Sequence, residues 1–294
     1  MSKNIRIIPR LDIKGPNLVK GIHLEGLRVL GTPEQFARYY YENGADELIY
    51  QDVVASLYNR NSLHDTIIRT TKEIFIPITV GGGLRTIDDI AAVLRAGADK
   101  VSLNTAVINS PQIIKDASRR FGSSTIVVSI ETIKQPDGQY FAYTDNGREH
   151  TGIEVLEWAQ KAEELGAGEI LLTSVDKEGT GFGFDIELTK KVAGSVSIPV
   201  IAHGGAGSLD HVSDVVLQGK ADAVAIASLL HYDFITNNTV ALDDSSEGNI
   251  HFLKSNRTFT KIKHVHLNDV KRHLENNGIK CRYNANMGNV VDGV

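Results

Sequence analysis

Ile76–Leu84 reads IPITVGGGL, and 122 residues later Ile198–Ala206 reads IPVIAHGGA. In each copy a β-branched run of strand type ends in a glycine cluster, the residue that permits a tight turn and close backbone approach. The repeat extends outward on both sides. GADELIYQD at Gly44–Asp52 matches GAGEILLTS at Gly166–Ser174, and AGADKVSLNTA at Ala96–Ala106 echoes GKADAVAIASL at Gly219–Leu229. RLDIK, containing Asp12, parallels SIETIK, containing Glu131. Two similar halves of four strand–helix units predict an α/β fold, a single (β/α)8 TIM barrel with an internal half-barrel duplication.

The strand candidates are Ile5–Leu11, Glu47–Gln51, Pro77–Val80, Lys100–Leu103, Ser124–Ser129, Glu169–Thr173, Pro199–Ala202 and Ala223–Ala227. Runs apolar at nearly every residue, such as TIVVSI from Thr125, suit strands buried on both faces of a parallel sheet. Helical patterns lie between most of them, at Thr86–Ala96, Pro111–Phe121, Ile153–Leu165 and Ser208–Leu217. Trp158 falls in the third as a packing residue, and Gln160–Glu164 reads as its solvated face.

Composition narrows the function. The 294 residues carry a net charge of −5, against the basic footprint of a nucleic-acid binder. No apolar run approaches the roughly 20 residues of a membrane span, and Met1–Asn4 leads straight into a strand, so a cytoplasmic protein without secretory signal is expected. The single cysteine, Cys281, excludes an internal disulfide and a cysteine zinc cluster. His264 and His266 alternate in KIKHVHL without a carboxylate at ligand spacing, so a strand or surface role is favoured over metal. No dinucleotide fingerprint is present, and no cofactor is expected.

In such a barrel the active site gathers at the C-terminal ends of the strands. Asp12 closes the first strand and Glu131 the fifth, diametrically opposite, so the two carboxylates can serve as acid and base across a bound substrate. Gly81–Gly83 follows the third strand, Asn104-Thr105 the fourth, Gly204–Gly207 the seventh and Ala227-Ser228 the eighth. Backbone N–H groups at such loops bind phosphate dianions, and their duplication predicts two facing phosphate sites for an elongated bisphosphate. His203, in the second segment, either contacts phosphate or fills the mouth.

With RIIPRLDIK, VKGIHLEGLR, GADELIYQD, TVGGGLRT, GADKVSLNTA, GAGEILLTSVDKEGT, IAHGGAG and HLNDVKRHLENNGIKCR in place, the chain resembles the cyclase subunit of imidazole glycerol phosphate synthase over about residues 4–231 and again at 266–283. The resemblance implies a bisphosphate nucleotide substrate and ammonia made by a separate glutaminase subunit. The ammonia crosses the barrel, forms an imine with a ketose carbon, and acid–base steps close an imidazole ring and release an aminoimidazole carboxamide ribotide. It places the catalytic carboxylates on Asp12 and Glu131, the loop lysine on Lys20, and a further loop acid on Glu178. Phosphate positions fall on Gly83, Asn104 and Thr105, and on Gly179, His203, Gly205, Ala227 and Ser228. Arg6, Glu47, Lys100 and Glu169 fall on the charged ring used as the ammonia entrance, although such a ring could also simply neutralise itself. Asp99 falls on a contact with the glutaminase, which docks as a heterodimer partner at the N-terminal face.

The mouth departs from the family pattern at Arg10, Glu131, Glu178 and His203, where the family has Cys, Asp, Asp and Ser. Three readings follow. They are the histidine-pathway cyclase, an ammonia-channelling paralogue that supports acetamido-to-acetamidino conversion of a surface-polysaccharide sugar, and a non-catalytic conduit that docks the glutaminase.

The chain exceeds the about 250 residues of one barrel. The surplus is expected as an insertion after the eighth strand, residues 233–263, covering the mouth or a partner surface. Within it Thr236–Asn249 reads as a loop and the following strand-like pieces as a hairpin turning at Ser255-Asn256. The family's last helix is expected at Asn268–Asn277, capped by Gly278, with residues 284–294 as a flexible tail.

Overall fold

Alternation with a period of two decides which way each strand residue faces. In the computed structural model, which describes residues 4–55, 63–237 and 262–282, the first strand sends Ile7, Leu11 and Ile13 outward into the main core and Ile8 inward into a separate cluster. The first half of the chain builds β1 (Arg6–Lys14), β2 (Asn17–Ile22), β3 (Glu25–Gly31), α1 (Pro33–Glu42), β4 (Leu48–Asp52), α2 (His64–Thr71), β5 (Ile78–Gly81), α3 (Ile87–Arg95), β6 (Lys100–Leu103), α4 (Thr105–Asn109) and α5 (Gln112–Phe121). The second builds β7 (Ile126–Lys134), β8 (Tyr140–Thr144), β9 (Glu149–Glu154), α6 (Val155–Glu164), β10 (Glu169–Ser174), α7 (Ile186–Ser195), β11 (Val200–His203), α8 (Leu209–Leu217), β12 (Ala223–Ile226), α9 (Ser228–Asn237) and α10 (Leu267–Asn276).

Eight strands close a parallel barrel in the order β1, β4, β5, β6, β7, β10, β11, β12 and back to β1. The expected (β/α)8 architecture is therefore present. Two antiparallel hairpins, β2–β3 and β8–β9, stand on the mouth, one after the first strand of each half. They obey the duplication but were not among the expected elements. Asp12 and Glu131 do not close their strands: both continue into the hairpins, with Asp12 paired to Val19 and Glu131 to Tyr143. The fifth barrel strand begins at Ile126 because Ser123–Thr125 forms a 3-10 turn.

Helix ends follow local chemistry. Thr86 accepts from the Asp89 N–H at 3.1 Å while Asp89 accepts from the Thr86 N–H at 2.9 Å, a capping box that starts α3. Trp158 is buried on α6 as expected, with Gln160, Lys161 and Glu164 exposed. Thr236 and Asn237, expected at the start of a loop, complete α9. The rest of that stretch, the hairpin at Ser255-Asn256 and the tail 284–294 lie outside the described residues. His266 caps α10, accepting from the Asn268 N–H at 3.3 Å, and His264 Nδ1 lies 3.0 Å from Thr236 Oγ1.

At the N-terminal face one device recurs around the barrel. Asp46, Asp99 and Asp222 each precede a strand and accept from the backbone N–H of Ile7, Ile78 and Val200, at 2.8, 2.9 and 2.8 Å. Their own N–H groups return to the carbonyls of the same three residues. At the fourth equivalent point Gly168 keeps the backbone half of the clamp, donating to Ile126 O at 2.9 Å. Asp46 carries more: Lys271 of α10 reaches it at 2.8 Å, and the ammonium also donates to Arg282 O at 2.6 Å. Burial raises the Asp46 carboxyl against the pull of Lys271.

Removing one partner of a buried pair leaves an uncompensated charge, so Lys271→Met is expected to cost about 3 kcal/mol. Asp46→Asn added to it should recover part of the loss. Chemical denaturation measures both, and an unchanged midpoint for Lys271→Met would refute the role.

Candidate active site

Glycines shape the two sides of the mouth. At Gly82, φ is +101° and a Cβ would sit 2.3 Å from Asp52 O; at Gly205, φ is +109° and a Cβ would sit 2.1 Å from Gly183 O. No side chain fits in either place, so the backbone lies bare where the duplication predicts anion sites.

The two sides differ in size. Beside β4 to β7 opens a cleft of about 300 Å³ lined by Gly82, Gly83, Arg85, Asn104, Thr105, Asn146 and Glu131, with Ser102 and Ser129 at its inner end. Opposite, Lys20, Glu178, Gly179, His203, Gly205, Ala227 and Ser228 surround only about 20 Å³, room for one water. The second space is narrowed by an ion pair. Lys20 on β2 is bound to Glu178, whose other oxygen accepts from the Leu24 N–H at 2.9 Å. Glu178 thereby ties the β2–β3 hairpin to the loop after β10.

The paired carboxylates face each other from β1 and β7, four strands apart in a barrel of eight. Asp12 accepts from Arg10 Nε at 2.9 Å and lies 3.9 Å from Lys20 Nζ. Glu131 is buried, and its Oε2 accepts from the Gly147 N–H at 2.9 Å. Burial pushes its carboxyl up to about 7, although Arg10 and the Gly147 N–H pull the other way. One carboxyl of the pair is thus a proton donor available near neutral pH.

His203 fills the floor of the mouth. Its Nδ1 accepts from Arg10 Nη1 at 3.1 Å, and burial with Arg10 and Lys20 nearby holds the imidazole neutral, well below its usual range. Arg10 Nη1 also reaches Thr173 Oγ1 at 3.3 Å.

At the other end of the lumen four charges close a ring. Arg6 Nη1 lies 2.7 Å from Glu47 and 2.9 Å from Glu169, and Lys100 Nζ lies 3.1 and 3.2 Å from the same two carboxylates. Every member bridges two opposite charges, so the ring is complete. Asp99 is exposed beside it, with one carboxylate oxygen committed to its strand clamp.

Sequence reasoning missed Arg85 and Asn146. Arg85 lies two residues after the glycine cluster and lines the larger cleft, with Nη2 on Ala55 O at 3.2 Å. Asn146 sits in the turn Asp145-Asn146-Gly147, all three at positive φ, and its amide is bonded to Val53 O across the cleft. That Asn-Gly turn is itself a hairpin signal in the sequence.

Residues 6–236 match the family model of histidine biosynthesis proteins. Among curated relatives, the imidazole glycerol phosphate synthase subunit HisF of Legionella pneumophila is 59% identical over 207 residues, 70% of this chain and 98% of that protein. The protein of the same name from Alkaliphilus metalliredigens (strain QYMF) is 45% identical over 231 residues, 79% of this chain and 92% of its own.

The Glu131 carboxyl titrates near 7 in the folded chain and at its ordinary 4.5 when unfolded. The native state then binds the extra proton between these values, so this contribution to stability is complete below about 4.5 and is lost as pH rises through about 7. Denaturation across that window should show wild type losing stability relative to Glu131→Gln. Parallel curves for the two would show that folding leaves the Glu131 carboxyl at its ordinary value.

Proposed function

As the chain belongs to the histidine biosynthesis family and is a cyclase subunit of the imidazole glycerol phosphate synthase type, we propose that its mouth binds the bisphosphate ribulosyl-aminoimidazole-carboxamide intermediate and closes the imidazole ring with Asp12 and Glu131. The observation that carries the assignment of roles is the buried Glu131, protonated up to about pH 7, opposite a carboxylate held among cations.

One phosphate end lies in the larger cleft, against the backbone at Gly83 and the side chains of Asn104, Thr105 and Arg85. The other lies at Gly179, Gly205, Ala227 and Ser228, where it exchanges with Glu178 for Lys20. This places the ketose carbon between the carboxylates. Ammonia adds to that carbon, Glu131 gives its proton to the departing oxygen, and water leaves as the imine forms. Asp12 takes the proton released on ring closure, which expels the aminoimidazole carboxamide ribotide. Positioned acid and base groups of this kind contribute about 10²–10⁴-fold each.

As a subunit of a synthase the chain has a partner. The reading places a glutaminase on the N-terminal face, with Asp99 among its contacts and the ring of Arg6, Glu47, Lys100 and Glu169 as the ammonia entrance. Among the described residues no helix is long and apolar enough to cross a membrane. The cytoplasm is the compartment proposed.

Purified chain given the bisphosphate intermediate and excess ammonium salt should form imidazole glycerol phosphate without the glutaminase. Asp12→Asn and Glu131→Gln should each lower kcat/KM by at least about 100-fold. Glu131→Asp, which withdraws the acid by one methylene, should stay within about 100-fold of wild type. No turnover by wild type, with ammonia from a docked glutaminase still crossing the barrel, would instead favour the conduit.

A further inference from the structure

Arg10 has no part in the chemistry above, yet it occupies the middle of the lumen. It belongs to β1, whose barrel neighbours are β4 and β12, but its guanidinium bonds to Thr173 on β10 and His203 on β11. Those strands lie three and two places away round the barrel, so the side chain must cross the interior to reach them. It does so just above the apolar layer of Ile8, Ile49, Val127, Leu171 and Ile201. With Asp12 holding its Nε, the guanidinium is anchored at three points and buried.

The opposite side of the lumen is furnished differently. On β6, Ser102 stands two residues above Lys100 of the charged ring, about 7 Å along a strand. It is buried, and its hydroxyl has no hydrogen-bond partner. Ser102 and Ser129 also line the inner end of the larger cleft, next to Glu131. Two residues of β6 therefore separate the ring from the inner end of the cleft, where the Ser102 hydroxyl has no hydrogen-bond partner.

We infer that Arg10 is an upper seal in the lumen, closing its β10–β11 side so that ammonia leaves the barrel past Ser102 and meets the substrate at Glu131. A permanent guanidinium beside the passage repels ammonium and lets neutral ammonia through, the form that can attack carbon. The role of Arg10 is one of positioning. It acts through what it holds, the Asp12 carboxylate and the β10–β11 wall, and it directs where the nucleophile emerges. This inference rests on the ammonia-using function proposed above.

The test is the ratio of glutamate released to product formed by the complex with the glutaminase subunit. Wild type should run one-to-one. Arg10→Met keeps bulk but loses the charge and the anchors, and should release several-fold more glutamate than product because ammonia escapes on the unsealed side. Arg10→Lys, which keeps a cation but loses the fork that reaches Thr173 and His203, should raise the ratio less than Arg10→Met does. Should Arg10→Met not fold, Thr173→Val removes one anchor at nearly constant volume and should also raise the ratio. A ratio unchanged in the folded variant, with only the rate reduced, would overturn the seal and leave Arg10 as a support for Asp12. A wild-type complex that hydrolyses glutamine without making product would instead overturn the function, and this inference with it.

Discussion

The pleat of a closed parallel barrel turns every second side chain into one shared lumen, and each strand has only two to four such positions. On β1 they are Arg6, Ile8, Arg10 and Asp12; on β10, Glu169, Leu171 and Thr173; on β6, only Lys100 and Ser102. Floor, filling and mouth are therefore consecutive levels of the same strands. A change in one level presses on the next, because no loop lies between them. Glu131 and Val127 stand on one strand in this way, a proton donor above a filler.

Charge is distributed along this axis in three ways. The floor ring is self-compensating, with each cation between two carboxylates at 2.7 to 3.2 Å. In the middle and at the mouth, Arg10 and Lys20 share Asp12 and Glu178 in a buried network joined by a neutral histidine. Among the described residues Glu131 makes no ion pair, and burial moves its carboxyl up to about 7 although Arg10 acts on it.

The duplication made the barrel legible, because apolar runs recur at offsets of 122 or 123 residues and one pair of them ends in matching glycine clusters. The hairpins were harder. The apolar runs are broken just past Leu11 and Ser129 by the carboxylates Asp12 and Glu131, which hides the strands' continuation, although the Asp-Asn-Gly turn at 145–147 signalled β8–β9. Asp99 shows what a resemblance hides: its carboxylate is first a strand clamp, shared with Asp46 and Asp222. Each clamp is set up two residues earlier by a left-handed residue, Gly44, Gly97 and Gly166 in three repeats and Lys220, at φ +62°, in the fourth. The Arg10 crossing was not readable, since nothing in a linear sequence tells which strands a guanidinium reaches across a cavity. Nor was the unequal size of the two anion sites, which depends on an ion pair between residues 158 apart.

The last described residues return to the first. Ile5 donates to Lys280 O at 2.8 Å and pairs with Cys281, while Lys271 joins Arg282 O to the Asp46 carboxylate. Asp46 in turn holds the Ile7 N–H, one residue beyond Arg6. During synthesis, which releases the N-terminus first, Asp46 has no cation until α10 has left the ribosome. The seam itself closes earlier, when β12 pairs with β1. A chain that stops short of Lys271 therefore has a closed strand order but leaves the Asp46 carboxylate buried beneath β1 without its cation.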